Sequence, residues 1–182
     1  MRAMEPTIEV RAMQPVLRPR VKALELDPDQ HPYVPPMDQV LARARRKADV
    51  REFVILRGGE VVGYFQLNLS AGEIAHYCHE DGLCGLEAMM VDRRMQAKGI
   101  GYQALAQLPA LVAEHVPEIH QINLTVNFSN RPAQKLYRRC GFEDTGLVYS
   151  GASSGPQHIY ALRVAVAPVV RARRRRWRPW AR

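Results

Sequence analysis

A mixed α+β domain around one central sheet is the fold class this sequence predicts, and three stretches predict it. Residues 52–57 (EFVILR) and 60–69 (EVVGYFQLNL) are rich in β-branched and aromatic residues and flank Gly58-Gly59, the pattern of a hairpin. Residues 122–127 (INLTVN) alternate, with Ile122, Leu124 and Val126 on one face of a strand. Between these strand-like runs, Leu105, Leu108, Val112 and His115 form one stripe of a helix over residues 99–116.

The remaining elements follow in order. TIEVRAM (7–13) alternates as a strand. VLRPRVKALEL (16–26) reads as a helix, DPDQHPYVPP (27–36) as a proline-broken loop, and MDQVLARARRKA (37–48) as a second helix. After the hairpin, residues 70–82 form a polar loop and CGLEAMMVD (84–92) a further strand. Pro109 should kink the long helix. Residues 130–139 read as a short helix ending at Gly141, and GLVYSG (146–151) and PQHIYALRVAV (156–166) as two closing strands. The expected order is β-α-α-β-β-β-α-β-α-β-β around one sheet.

The length of 182 residues suits one core, expected over 1–166 and followed by a tail, 167–182. The net charge of +8 is concentrated there, because residues 171–182 hold seven arginines and no acid. The body is therefore nearly neutral and is not read as a nucleic-acid binder, whereas the tail, with Trp177 and Trp180, suits nucleic acid or an acidic surface. No apolar run approaches the ~20 residues that span a bilayer. The N-terminus has no apolar leader segment, and Cys78, Cys84 and Cys140 form no framework, so a reducing, cytoplasmic setting is expected. His76, Cys78, His79 and Cys84 match no standard zinc spacing, and no metal is expected.

The informative stretch is VDRRMQAKGIG (91–101), which joins a strand to a helix. Arg93, Arg94, Lys98 and two glycines ahead of a helix N-terminus suit an anion, because the first helical amides lack partners and glycine admits close approach. A phosphate loop of the Walker type fails, since Lys98 precedes its glycine and no Ser or Thr follows. Gly99-Ile100-Gly101-Tyr102-Gln103-Ala104 matches a dinucleotide fingerprint literally, but seven residues separate it from the strand and INLTVN ends in Asn rather than an acid. The third reading takes Gln96, Ala97, Lys98, Gly99, Ile100 and Gly101 as [QR]xxGx[GA], whose six consecutive amides wrap a pyrophosphate. A glycine-rich connection that binds nothing is the remaining alternative.

On the third reading VDRRMQAKGIG resembles the acetyl-CoA-binding segment of the GNAT acetyltransferase superfamily. A second stretch, Asn130 to Phe142, is similar to that superfamily's NxxAxxLYxxxGF, through Asn130, Ala133, Leu136, Tyr137, Gly141 and Phe142. The two lie in the right order about thirty residues apart, and the resemblance covers about residues 7–165. It implies a mostly antiparallel sheet with splayed middle strands flanked by helices. Acetyl-CoA is the implied cosubstrate, with its pantetheine arm against the backbone of Met89, Met90 and Val91. It implies that Tyr137 donates a proton to the leaving thiolate and contacts the cofactor, and that Asn130 bonds the cofactor arm or caps its helix. Glu87, the only acid in CGLEAMMV, is the candidate base or acceptor-binding residue, with water or a solvent-facing role as alternatives.

SGPQH resembles a diamine or spermine acetyltransferase-like subgroup and puts His158 in the acceptor site, although a strand histidine often has only a packing role. The acids Glu73, Glu80, Asp81 and Glu87 are expected to border that site and attract a di- or polyamine. The expected activity is transfer of an acetyl group to a small primary amine in a ternary complex. A protein N-terminus or lysine as acceptor, and a non-catalytic acetyl-CoA-binding domain tethered by its tail, are the alternatives. Whether the chain forms a homodimer is left open.

Overall fold

The computed structural model describes residues 6–77 and 80–165, and the arginine-rich tail lies outside them. Seven strands form one sheet in the order β1-β2-β3-β4-β5-β7-β6. They are β1 (Ile8–Ala12), β2 (Val50–Arg57), β3 (Glu60–Asn68), β4 (Leu83–Val91), β5 (Gln121–Asn127), β6 (Glu143–Tyr149) and β7 (Gln157–Arg163). Every neighbouring pair is antiparallel except β4 with β5.

The run EFVILR is continuously apolar because β2 is covered on both faces. Phe53 and Ile55 join the core under α4 (Ile100–Leu105) and α5 (Leu108–His115), whereas Val54 and Leu56 pack beneath α1 (Arg18–Lys22) and α2 (Met37–Ala44). Successive side chains of a strand point to opposite faces, so the apolar run marks burial between two helical layers.

Three expectations change in detail. The helix expected over 16–26 shortens to α1, preceded by one 3-10 turn at Pro15–Leu17. The polar loop 70–82 contains a short helix, α3 (Ala71–Ile74), and its entry is fixed where Ser70 N donates to Asn68 Oδ1 at 2.9 Å. The helix over 99–116 breaks in two at Ala106-Gln107 rather than kinking. Pro109 lies in the first turn of α5, where its missing N–H costs nothing. Gln107 then turns its side chain to β1, donating to Ile8 O and accepting from Val10 N, each at 3.2 Å.

The feature that positions a site is the divergence of β4 from β5. The two pair only over Leu83–Gly85 and Gln121–Asn123, so the rest of β4 has no partner on that edge. On its other edge β4 carries a bulge against β3, where Tyr64 faces Met90 and Gln66 faces Glu87. Ala88 sits in it with φ of 51°. An extra residue on one strand bends that strand, which opens the gap toward β5. No helix among the described residues is long and apolar enough to cross a membrane.

Candidate active site

The loop after β4 is pinned at its start and open at its end. Asp92 is buried, and its carboxylate accepts from Arg94 N at 3.0 Å, Arg94 Nε at 2.7 Å, Arg94 Nη2 at 2.7 Å and Glu25 N at 3.2 Å. Hydrogen bonds from Arg94 outweigh the desolvation of burial and hold the Asp92 pKa down at about 2. Gln96 N is spent on Arg93 O at 3.4 Å. The amides of Ala97 to Tyr102 have no acceptor within the described chain.

Two left-handed residues shape this run, Ala97 with φ of 59° and Gly99 with φ of 72°. Ala88 and Ala97 are the only described non-glycine residues with positive φ; Ala97 lines the groove beside this loop and Ala88 the cleft on the far side of β4. Such strain persists where surrounding structure imposes it, often at ligand clamps. Gly101 has another reason to be glycine: a Cβ there would meet Leu136 Cδ2 of α6 (Arg131–Arg139) at 3.1 Å.

A groove of about 570 Å³ runs from this loop into the β4–β5 gap. It is lined by Met89, Met90, Val91, Gln96, Ala97, Gly99, Ile100, Gly101, Asn130 and Tyr137. Lys98 is the expected residue that does not line it, since its Nζ turns back to Arg94 O at 3.0 Å. Arg93 and Arg94 are tied to Glu25 and Asp92. The lining cations are instead Lys135 and Arg139 of α6, which the sequence reading did not single out. Their signal was the charge of α6, RPAQKLYRR, which carries four cations and no acid.

A strap over residues 27–36 roofs the groove. Gln30 and Gln96 exchange amide hydrogen bonds at 3.0 and 2.8 Å, and Tyr33 Oη lies 2.9 Å from Ser129 Oγ. Tyr33 and Val34 line both this groove and a second cleft of about 440 Å³ on its far side.

That second cleft contains Glu87, which is held by three side chains, two from β3 and one from the connection before β4. Its Oε1 accepts from Tyr77 Oη at 2.7 Å and Asn68 Nδ2 at 3.2 Å, and its Oε2 from Gln66 Nε2 at 3.0 Å. Gly85 is needed for this arrangement, because a Cβ there would collide with the Tyr77 hydroxyl. Glu73 also lines the cleft, but Lys47 and Arg43 pair with it and Asn68 donates to it at 3.2 Å. Hydrogen bonds from Lys47 and Asn68 lower its pKa.

Two expectations fail here. Glu80 and Asp81 line a different hollow beside Glu118, so only half of the expected acids reach the cleft. His158 does not line the cleft either. Strand alternation gives that place to Gln157, while His158 stacks on Phe128 with ring centroids 4.0 Å apart and places Nδ1 3.1 Å from Asp144 Oδ2. Among the described residues no group of three or more His, Cys, Asp or Glu is placed to hold a metal ion, and Cys78 and His79 lie outside them.

The two cavities meet at Met89, Asn130, Ala133 and Tyr137. Asn130 Oδ1 caps α6 through Ala133 N at 3.2 Å. Burial raises the Tyr137 pKa well above that of a free phenol, with Cys140 adding to the effect, so the hydroxyl keeps its proton at neutral pH. Cys140 itself is pushed up to about 11, again chiefly by burial.

A sheet split beside a run of free amides, with one cavity on each side of the split, has room for two ligands that meet at the split. Comparison with known proteins gives that arrangement its family. Residues 18–142 match the family model described as Acetyltransferase (GNAT) family, and the chain belongs to that family. An N-acetyltransferase of Bacillus subtilis (strain 168), YbbJ, described as uncharacterized, is 29% identical over 139 residues, spanning 76% of this chain and 87% of its own length. An aminoglycoside N(6')-acetyltransferase type 1 of Klebsiella pneumoniae is 25% identical over 114 residues, 61% of this chain and 56% of that enzyme. Among solved structures, the aminoglycoside acetyltransferase AAC(6')-Ib with coenzyme A superposes with a TM-score of 0.70 at 18% identity, covering 86% of this chain and 95% of that one. A spermidine N-acetyltransferase from Vibrio cholerae with CoA and spermine gives 0.64 at 16% identity, over 86% and 95% of the two chains. At these identities the structural matches speak for the fold.

Proposed function

We propose that this chain transfers the acetyl group of acetyl-CoA to a primary amine of a small molecule, by direct attack in a ternary complex. The observation that carries the reading is the junction at Met89, Asn130 and Tyr137, where the groove and the cleft open into each other through the β4–β5 gap. The groove fits coenzyme A. The free amides from Ala97 to Tyr102, with Lys135 and Arg139 along the wall, suit its pyrophosphate. The unpaired edge of β4 at Met89–Val91 suits its amide-bearing arm, as an added strand would.

When bound, acetyl-CoA supplies an activated acyl carbon, whose C–S bond breaks as the C–N bond forms. The chain's own groups handle charge and protons. Backbone N–H on the free edge of β4 offers hydrogen bonds to the oxygen on which negative charge grows. Tyr137, kept protonated by burial, gives a proton to the sulfur that departs. Glu87 takes the proton that the attacking amine loses. Its three donors use three of a carboxylate's roughly four lone-pair positions, which leaves one on Oε2. Glu87→Gln should lower kcat by roughly 10²-fold, and a change confined to KM would return it to a binding role.

The roof formed by Tyr33 and Val34 supports a small acceptor over a folded polypeptide. The substrates in the relatives' names, aminoglycosides and spermidine, are amines, which supports the amine class. A di- or polyamine has less support, since Glu80 and Asp81 face elsewhere and Glu73 is ion-paired. The test is acetyl-CoA-dependent thiol release with panels of amino acids, peptides, aminoglycosides and polyamines. Turnover of a small amine is expected. Binding of acetyl-CoA without turnover of any amine would favour a non-catalytic binding domain.

A further inference from the structure

The acceptor cleft has one carboxylate with no cation paired to it, Glu87, a second, Glu73, already paired with Lys47, and an exposed guanidinium. Apart from the imidazole of His76, the charged side chains that line it among the described residues are Arg43, Glu73 and Glu87. The charge of Glu73 is already balanced, since Lys47 pairs with its Oε1, and Asn68 donates to its Oε2 at 3.2 Å. Glu87 keeps the single lone-pair position assigned above to the reacting nitrogen. A second ammonium of a polyamine therefore meets a carboxylate whose charge Lys47 already balances, and it meets the positive charge of Arg43.

Arg43 is placed in the opposite way. It sits in the last turn of α2, its side chain is 63% exposed, and its contact with Glu73 Oε2 is 3.6 Å, beyond hydrogen-bond reach. Lys47, closer to Glu73, supplies the charge balance that Glu73 needs. A guanidinium carries five N–H donors in a planar fork that matches two oxygens of a carboxylate or phosphate. We propose that the natural acceptor carries an oxyanion, a carboxylate or a phosphate, at a distance from its primary amine, and that Arg43 binds it. Arg43 is then a specificity-determining residue, and the substrate class is a zwitterionic amine. The inference rests on the acetyltransferase reading of the same cleft.

Matched acceptors test it in thiol-release assays on the full chain with acetyl-CoA. β-Alanine is compared with its amide, glycylglycine with its amide, and O-phosphoethanolamine with ethanolamine, with spermidine alongside. Each is assayed at a pH where both members of a pair hold comparable neutral amine. At least one oxyanion-bearing acceptor should exceed its neutral partner, and spermidine, by roughly 10-fold or more in kcat/KM. Whether the winner is a carboxylate or the phosphate identifies the group. Arg43→Gln should collapse that ratio to about 2-fold by raising KM for the anionic member. Arg46→Gln, on an exposed residue outside the cleft, should preserve it. Preference for the neutral partners or for spermidine overturns the inference and leaves the acetyltransferase reading standing. A ratio unchanged in Arg43→Gln does the same. Acetyl-CoA binding with no turnover of any amine overturns both.

Discussion

The groove and the cleft are built from different material. The groove offers main-chain groups without partners: the free amides of Ala97 to Tyr102 and the unpaired edge of β4. The cleft is bounded by side chains that converge from distant elements, with Glu87 held by Tyr77, Gln66 and Asn68 and faced by Arg43. Main chain offers the same donors to any sequence that can adopt the loop, so the groove suits a cosubstrate common to many enzymes. Side chains change one substitution at a time, so the cleft is where specificity can vary without disturbing the groove. The two sides should therefore respond to mutation in separable ways.

The largest expected effect is on the groove. Gly101→Glu puts a Cβ 3.1 Å from Leu136 Cδ2 and a carboxylate among donors suited to a phosphate. Acetyl-CoA affinity by calorimetry should fall by about 10³-fold, roughly 4 kcal/mol. Retained affinity would mean that the anion sits elsewhere, and the comparison between the two regions would break.

Tyr137 stands where the regions meet, so its loss should touch chemistry rather than either binding step. Tyr137→Phe should lower kcat about 10²-fold with acetyl-CoA affinity kept. The pH profile sharpens this. Burial raises the Tyr137 pKa, so the phenol stays protonated and the proton donor persists as pH rises past the ordinary value of about 10. The rate should climb as the amine loses its proton, with no alkaline decline from Tyr137 below pH ~10. An unchanged kcat in Tyr137→Phe, with chemistry rate-limiting, would return the residue to packing.

A smaller effect separates the pinned start of the loop from its open end. Asp92→Ala should cost about 2 kcal/mol of stability, because Asp92 is buried and bonded to Arg94 and the Glu25 amide. The sign follows from a depressed pKa. The contribution is present above the unfolded value near 3.8 and is lost as pH falls through about 2. Acid unfolding followed by circular dichroism should show that limb in the wild type and a flatter one in Asp92→Ala. Equal limbs would show that Asp92 does not couple the loop to residues 24–26.

The same contrast explains what the sequence made legible. The loop and α6 are contiguous stretches, 91–101 and 130–142, so their motifs could be matched to a known family directly from the sequence. The sheet was readable for a similar reason, since alternation and apolar runs are local signals. The cleft was not, because Arg43 of α2, Gln66 and Asn68 of β3, Tyr77 of a connection and Glu87 of β4 are far apart in sequence and meet only in the fold. Gln66 and Asn68 did leave a trace: two amides two residues apart in an apolar strand share one face. His158 missed the cleft by one residue, which is the sensitivity that strand alternation imposes. Glu80 and Asp81 were misplaced because the connection before β4 carries them to the end of the sheet beside Glu118.

On the proposed function both substrates occupy the joined cavities together and the amine attacks directly. Cys140, next to Tyr137, is the nucleophile a two-step route would call on, yet burial pushes its thiol up to about 11 and leaves little thiolate at neutral pH. Initial velocities with acetyl-CoA and a turned-over amine both varied decide between the routes. Double-reciprocal lines that intersect, with no acetyl group on the enzyme by intact-mass spectrometry, are the predicted result. Parallel lines, with an acetyl group trapped on Cys140 in the absence of amine, would contradict the account.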